Sequence, residues 1–127
     1  MMLSFKIEGE TVAKKNSKQV FIRGGRPIVT TSERYKKWLE SAKIQLIPQI
    51  NLIKIQLPIK ERVSVRIEFF HGDNRRRDSD NGLSSILDLL VDVGVLVDDK
   101  WQIVKYLTVK NENADKSFCL INIDKIN

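Results

Sequence analysis

Two clusters of carboxylates bracket one apolar run, and this arrangement limits what the chain can become. Asp78 and Asp80 stand directly behind Arg75, Arg76 and Arg77. Leu83 to Val93 comes next, and Gly94-Val95-Leu96-Val97 then leads to Asp98 and Asp99. Leu83, Ile86, Leu87 and Leu90 recur at helical spacing, so a helix is predicted here, with Gly94 stopping it. Asn81, Ser85, Asp88 and Asp92 fall on its polar side. Gly82 lies in the first turn, where glycine costs about 0.5–1 kcal/mol relative to alanine. The apolar segment after the helix brings the second acid pair back beside the helix start. Carboxylates packed this closely repel one another and weaken a fold unless a cation lies between them. Three or four acid oxygens converging on one point suit a hard divalent ion such as Mg²⁺, with water and phosphate completing its shell. Arginines bind phosphate as planar forks. The stretch therefore predicts a metal site offered to a phosphate.

Each carboxylate also has a plainer reading. Asp78 or Asp80 would serve as a helix N-cap, where aspartate is favoured. A cap accounts for one aspartate, not for two with another pair beyond the helix. In an extended segment a spacing of two aims both side chains to one side. Asp98 and Asp99 are adjacent, so one of them is expected to reach the site. Asp88 and Asp92 are expected to face solvent, Asp88 with a supporting role within reach.

The chain has 127 residues, which fits one domain spanning residues 1–127 with a real core. It carries 22 Lys+Arg against 16 Asp+Glu, a net charge of +6. That balance favours an anionic partner, nucleic acid before membrane, because no stretch is apolar enough to span a bilayer. The excess is uneven: residues 1–40 hold nine Lys/Arg against four Glu, while the acids gather around positions 78–99. A single cysteine, Cys119, excludes an internal disulfide and a cysteine-based zinc site; between Phe118 and Leu120 it reads as a buried, inert thiol. The start of the chain has no signal-peptide core, so a cytoplasmic protein is expected. His71, the lone histidine, reads as the exposed end of a strand.

Leu3, Phe5 and Ile7 alternate with Ser4, Lys6 and Glu8, the period of a half-buried strand. Residues 13–19 read as a basic loop. Val20-Phe21-Ile22 and Pro27-Ile28-Val29 flank Arg23-Gly24-Gly25-Arg26, a hairpin turn with arginines at its tip for solvent or for phosphate. Thr30 and Glu33 have capping-box spacing, so a helix is predicted from near Thr31. Tyr35, Trp38, Leu39, Ala42 and Leu46 form its apolar face, with Trp38 in the core, and Pro48 is expected to end it. Lys36 and Lys37 point to solvent or a polyanion. Residues 48–60 read as irregular. Val63, Val65, Ile67 and Phe69 make a strand that runs into His71-Gly72-Asp73-Asn74. Residues 103–109 and 118–123 read as two further strands around a turn at Asn111-Glu112-Asn113-Ala114. The last strand is apolar on both faces, fitting burial in a sheet or against a partner. The fold class is α+β: a small mixed sheet with two main helices in one domain.

The ordered set Arg-Arg-Arg-Asp-x-Asp-Asn, helix, Gly-Val-x-Val-Asp-Asp and Gln-Ile-Val resembles the RusA family of Holliday junction resolvases. The likeness is strongest over residues 75–104 and looser at Lys15-Asn16-Ser17, the arginine turn and Thr31-Ser32-x-x-Tyr35. It implies a small homodimeric, Mg²⁺-dependent endonuclease, with Mn²⁺ as the substitute ion, cutting four-way DNA junctions and often encoded by prophages. Carried over by position, the catalytic and metal-holding aspartates are Asp78, Asp80 and Asp99, with Asp98 a further candidate ligand. DNA contacts fall to Arg75, Arg76, Arg77, Lys14, Lys15, Asn16, Lys18, Arg23, Arg26 and Lys100. One departure stands out. The family commonly has a lysine in the first turn after Asp-Asn, where this chain has Gly82, Leu83, Ser84 and Ser85; Lys100 or an N-terminal lysine would supply that charge. Two rival readings are a nucleic-acid-binding module without catalysis and a metal-dependent nucleotidyl or glycosyl transferase. The first leaves the clustered acids unexplained, and the second lacks a glycine-rich phosphate loop.

Overall fold

The structure, a computed structural model, describes residues 2–14 and 18–126; Lys15 and Asn16 lie outside the described residues. In chain order the elements are β1 (Met2–Glu8), β2 (Lys18–Arg23), β3 (Arg26–Thr31), α1 (Glu33–Asn51), β4 (Val63–His71), α2 (Leu83–Asp92), β5 (Val104–Asn113) and β6 (Phe118–Lys125). Period-two burial explains three of the strands. Leu3, Phe5 and Ile7 in β1, Val63, Val65, Ile67 and Phe69 in β4, and Cys119, Ile121 and Ile123 in β6 all turn to one side.

Four strands form one mixed sheet in the order β1-β6-β4-β5. β6 is antiparallel to both neighbours, whereas β4 and β5 are parallel. The register lines up three rows across the sheet: Leu3–Ile123–Val65–Leu107, Phe5–Ile121–Ile67–Val109 and Ile7–Cys119–Phe69–Asn111. Both helices pack on this face. α1 buries Tyr35, Trp38, Ala42 and Leu46; α2 buries Ile86, Leu89 and Leu90. The other face carries ion pairs, Lys6–Glu8 at 3.1 Å, Arg66–Glu68 at 3.1 Å and Lys110–Glu112 at 3.5 Å. Phe118 of β6 stacks there on Phe70, ring centroids 4.4 Å apart, under the Lys6 ammonium. The double-sided apolarity of the last strand thus reflects a central place in the sheet. The result is a two-layer α+β domain with a mixed sheet and two helices.

Edge strands expose unpaired backbone groups, and β1 is closed by side chains of α1. Gln45 accepts from Glu8 N–H at 2.6 Å and donates to its carbonyl at 3.1 Å. Gln49 does the same for Lys6 at 2.9 and 2.7 Å. The match is geometric: helix residues four apart rise about 6 Å, and strand residues two apart span about 6.8 Å. This docking also bears on Pro48, which does not end the helix as its sequence predicts. α1 continues to Asn51 with Pro48 inside it, because Gln49 is held on β1 from outside the helix. The N-cap is likewise Ser32 rather than Thr30, its hydroxyl accepting from Tyr35 N–H at 3.2 Å.

β2 and β3 form the expected hairpin as a separate two-stranded sheet, Arg23 opposite Arg26. Gly24 and Gly25 take φ of 60° and 77°, the left-handed pair that a two-residue hairpin loop requires. The expected turn at residues 111–114 is displaced. Asn111, Glu112 and Asn113 extend β5 because they pair with Phe69, Phe70 and His71, and β4 lies between β5 and β6. The segment 48–60 acquires a role: Ile59 N–H donates to Val95 O at 2.8 Å and Val97 N–H to Ile59 O at 3.0 Å. That bridge fixes the path into Asp98 and Asp99. No helix among the described residues is long and apolar enough to cross a membrane.

The amide ladder predicts a measurable cost. Gln45→Ala with Gln49→Ala should destabilise the domain by about 2 kcal/mol, near 1 kcal/mol for each residue's pair of bonds. Urea denaturation of the single and double variants gives the value, and no change would mean that water caps the edge equally well.

Candidate nucleic-acid interface and carboxylate site

Parallel β4 and β5 need a crossover, and the connection leaves the carboxyl end of β4, where ligands gather in open sheets with parallel strands. Gly72 begins that loop because its backbone passes close to residue 116: a Cβ there would sit 2.9 Å from Lys116 Cα. Asp73 then organises the arginine segment. Its carboxylate accepts from Arg75 N–H at 2.9 Å and from the Arg77 guanidinium at 2.9–3.0 Å. Those bonds, the Arg77 contact first, hold the Asp73 carboxyl well below the usual carboxylate range. Arg77 also reaches Glu10 at 3.0 Å and the Arg75 carbonyl at 3.2 Å, and its side chain is only 14% exposed. Of the three arginines it is the brace. Arg75, 68% exposed at its side chain, and the exposed Arg76 face outward.

The brace separates two clefts. One, about 460 Å³, is walled by Arg34, Arg75 and Arg76 with Glu10, Thr11 and Asp78. The other, about 320 Å³, lies between His71, Ser79 and Asn113, sharing Arg75, Arg77 and Asp78 with the first. Arg34, in the first turn of α1, is a cleft residue that motif reading missed; its only sequence signal is a place beside the buried Tyr35. Buried Glu10 Oε2 and Thr11 Oγ1 at the first cleft have no hydrogen-bond partner among the described residues. Four guanidinium groups, Arg77 among them, line this cleft and suit phosphate.

Asp78 and Asp80 lie in a turn rather than in an extended segment. Asn81 N–H donates to Asp78 O at 2.9 Å and Leu83 N–H to Asp80 O at 3.1 Å, so the alternation expected of their side chains does not apply. Neither caps α2. The N-cap is Gly82, at φ +83°. A Cβ on Gly82 would lie 2.9 Å from Thr11 Cγ2, so this glycine is a requirement of close packing rather than a loose first-turn residue.

The turn is fixed to the sheet through Asn111, the polar end of the third row. Its amide nitrogen donates to Ser79 O at 2.8 Å, which leaves its oxygen facing His71 Nε2 at 2.8 Å. His71 Nδ1 meets Glu10 Oε1 at 2.7 Å. One ring nitrogen thus faces Glu10 and the other Asn111. His71 is therefore a half-buried tie between β1's continuation and β5, not an exposed strand end.

The second acid pair divides its work. Asp98 Oδ1 accepts from Asp99 N–H at 2.7 Å and Lys100 N–H at 3.3 Å, capping its own turn. The Asp99 carboxyl is pushed up by burial first, then by neighbouring Asp98 and Asp88. Asp88 is not simply solvated: it pairs with Lys14 Nζ at 3.2 Å and holds that ammonium's pKa up. Ser85, expected on the polar face, is fully buried. Its hydroxyl donates to Val12 O at 2.7 Å and accepts from Lys14 N–H at 2.9 Å. Lys14, more than Lys100, is thus the cation seated against α2.

The carboxylate oxygens are the right donors for a hard divalent ion, but they do not form a cage as folded. Among the described residues no three His, Cys, Asp or Glu side chains stand close enough to hold a metal ion. Asp78 lines the arginine clefts, whereas the acids acting on Asp99 are Asp98 and Asp88. Cys119, its thiol pushed up to about 12 by burial, takes no part.

A basic α+β domain with arginine-walled clefts beside an acidic turn belongs to the class of proteins that handle phosphodiesters. The comparison with protein families is specific: residues 8–123 match the family model described as Endodeoxyribonuclease RusA, and the chain belongs to that family. It is accordingly an endodeoxyribonuclease, a hydrolase acting on DNA, in a family of Holliday junction resolvases that are generally divalent-metal dependent. A search of curated proteins found no match.

Because Asp99's folded-state pKa is raised, protonation favours the fold: its contribution is present at acid pH and is lost as pH rises through that pKa. Asp99→Asn should therefore stabilise the metal-free protein at neutral pH by about 0.5–1 kcal/mol, the scale of relieving a strained functional charge. The gain should fall away at acid pH, where the wild-type carboxyl is protonated. Thermal unfolding at both pH values measures it, and a gain independent of pH would assign the effect to packing.

Proposed function

We propose that this chain resolves four-way DNA junctions in recombination and repair, hydrolysing one phosphodiester per subunit. The observation that carries the reading is the pair of arginine-walled clefts meeting at Asp78, in a chain matching the family over residues 8–123. Arg75, Arg76 and Arg34 bind the phosphates flanking the cut strand, and Arg77 keeps their loop in shape through Asp73 and Glu10. Lys14, Lys18, Arg23, Arg26 and Lys100 add further positive charge for the DNA backbone.

Asp78, Asp80 and Asp99 are the acids on which hydrolysis depends. Asp98 is the weaker candidate, since one of its oxygens is taken by two backbone N–H groups. The cofactor is a divalent ion, Mg²⁺ with Mn²⁺ as substitute, in keeping with the hard oxygen donors and the family's metal dependence. Lys14 stands in for the first-turn lysine, a role supported by its contacts with Ser85 and Asp88. The activity belongs to one domain over residues 1–127, acting in the cytoplasm, where a DNA hydrolase meets its substrate.

The working unit is a homodimer, because a two-fold protein presents identical sites to equivalent strands of a two-fold junction. The open outer edge of β5 is the surface best suited to join the copies. Trp101, Tyr106 and Leu107 are exposed along or beside it, and no strand pairs there among the described residues.

Asp78→Asn or Asp80→Asn should abolish cleavage of a labelled synthetic junction in Mg²⁺ while junction binding persists or tightens, as repulsion from DNA phosphate is relieved. Near wild-type cutting by either variant would refute the site. Arg75→Ala with Arg76→Ala should reduce the slope of log affinity against log salt by about 2, one unit per lost phosphate contact. Binding without cleavage by the wild-type protein, at any divalent ion, would favour the non-catalytic module instead.

A further inference from the structure

Among its described side chains, the β2–β3 hairpin exposes apolar residues on both sides. Val20 and Ile22 share one face with Pro27, and are 66% and 77% exposed. Phe21, 44% exposed, lies on the opposite face beside Ile28. A two-stranded ribbon is at best marginally stable in water alone, and contiguous exposed apolar side chains mark a surface that something else covers. The charge of the segment says what kind of partner. Residues 18–31 contain Lys18, Arg23 and Arg26 and no acid, in a chain of net charge +6. Arg23 and Arg26 face each other across the tip. At this acid-free, basic tip a second copy of the same hairpin is repelled, and a polyanion is attracted.

Intact duplex satisfies the arginines but leaves the apolar side chains in water. A site where the base stack is interrupted satisfies both. It offers two flat apolar surfaces with a gap between them, and a ribbon with apolar residues on each face fills such a gap. Apolar wedges entering base steps are an established mode of DNA binding, and a two-stranded ribbon has the width to enter a groove. Resting on the reading that this chain acts on branched DNA, we propose that the hairpin inserts Phe21 and Ile22 between base pairs at the branch point. Arg23 and Arg26 then hold the phosphates on either side.

The test uses the full chain in EDTA, to prevent cutting, and a synthetic four-way junction carrying 2-aminopurine at the branch point or, separately, mid-arm. Wild-type protein should raise branch-point fluorescence and leave the mid-arm probe unaltered. Phe21→Ala with Ile22→Ala should lose that rise and reduce the preference for junction over linear duplex by about tenfold. Both side chains are exposed, so the fold is not at stake. Arg23→Ala with Arg26→Ala should weaken junction and duplex alike. A fluorescence rise that survives in the Phe21/Ile22 variant overturns the wedge while leaving the nuclease reading intact. Conversion of a wild-type dimer to a monomer by that variant also overturns it, and makes the second copy the occupant. Wild-type protein that neither binds nor cuts any junction would refute the functional reading itself.

Discussion

The parallel pairing of β4 with β5 is the constraint on which the rest of the site depends. Parallel neighbours cannot be joined by a tight turn, so the chain must leave one end of the sheet, cross a face and return to the other. The outward loop carries Asp73, the arginines and the Asp78–Asp80 turn; the crossing is α2; the return passes Asp98 and Asp99. Register then decides what supports the loop. Pairing of Phe69 with Asn111 sets an amide at the end of an otherwise apolar row, within reach of Ser79. A slip of one residue would turn Asn111 to the other face and release the turn.

Electrostatics on this scaffold separates arginines that hold the loop from arginines that are left to a ligand. Exposed ion pairs contribute about 0–1 kcal/mol each, so Lys6–Glu8 or Arg66–Glu68 do little beyond keeping the open sheet face soluble. Arg77 differs because it is largely covered and bonds Asp73, Glu10 and a carbonyl together. Arg75 keeps a longer pair with Asp73 at 3.6 Å, and with Arg76 and Arg34 it lines the first cleft. Asp78 lines both clefts beside these arginines, and Asp88 is paired with Lys14.

Elements whose cause is local were legible in the sequence. Alternation at Leu3–Ile7 and Val63–Phe69 is fixed by a single buried face, and Arg23-Gly24-Gly25-Arg26 by a turn that only left-handed residues can make. What was not legible depends on another part of the chain. Pro48 reads as a stop, yet the helix goes on because Gln49 is held by β1. Ser85 and Asp88 read as solvated, yet residues 12–14 cross over them. Asn111 reads as a turn residue, yet β4 extends its strand. In the site, the Asp78–Asp80 motif and the arginines were visible as pattern, while the division of labour among Arg75, Arg76 and Arg77 was not. It needed the positions of Glu10 and Asp73.

The departure from the family at the first turn of α2 has a steric account of the same kind. Gly82 leaves no room for a side chain, since Thr11 fills that space, and Ser85 is closed in between Val12 and Lys14. A lysine at Ser85 would have to displace the crossing segment and leave Val12 O and Lys14 N–H without their partner, the more costly outcome in a buried setting. The segment that closes over Gly82 and Ser85 brings a lysine of its own. Lys14 enters with its backbone pinned on Ser85 and its ammonium on Asp88, whose charge also acts on Asp99. The small residues of α2 and the segment that crosses them are therefore fitted to one another. Enlarging Ser85 without removing Lys14 would lose the cation rather than double it.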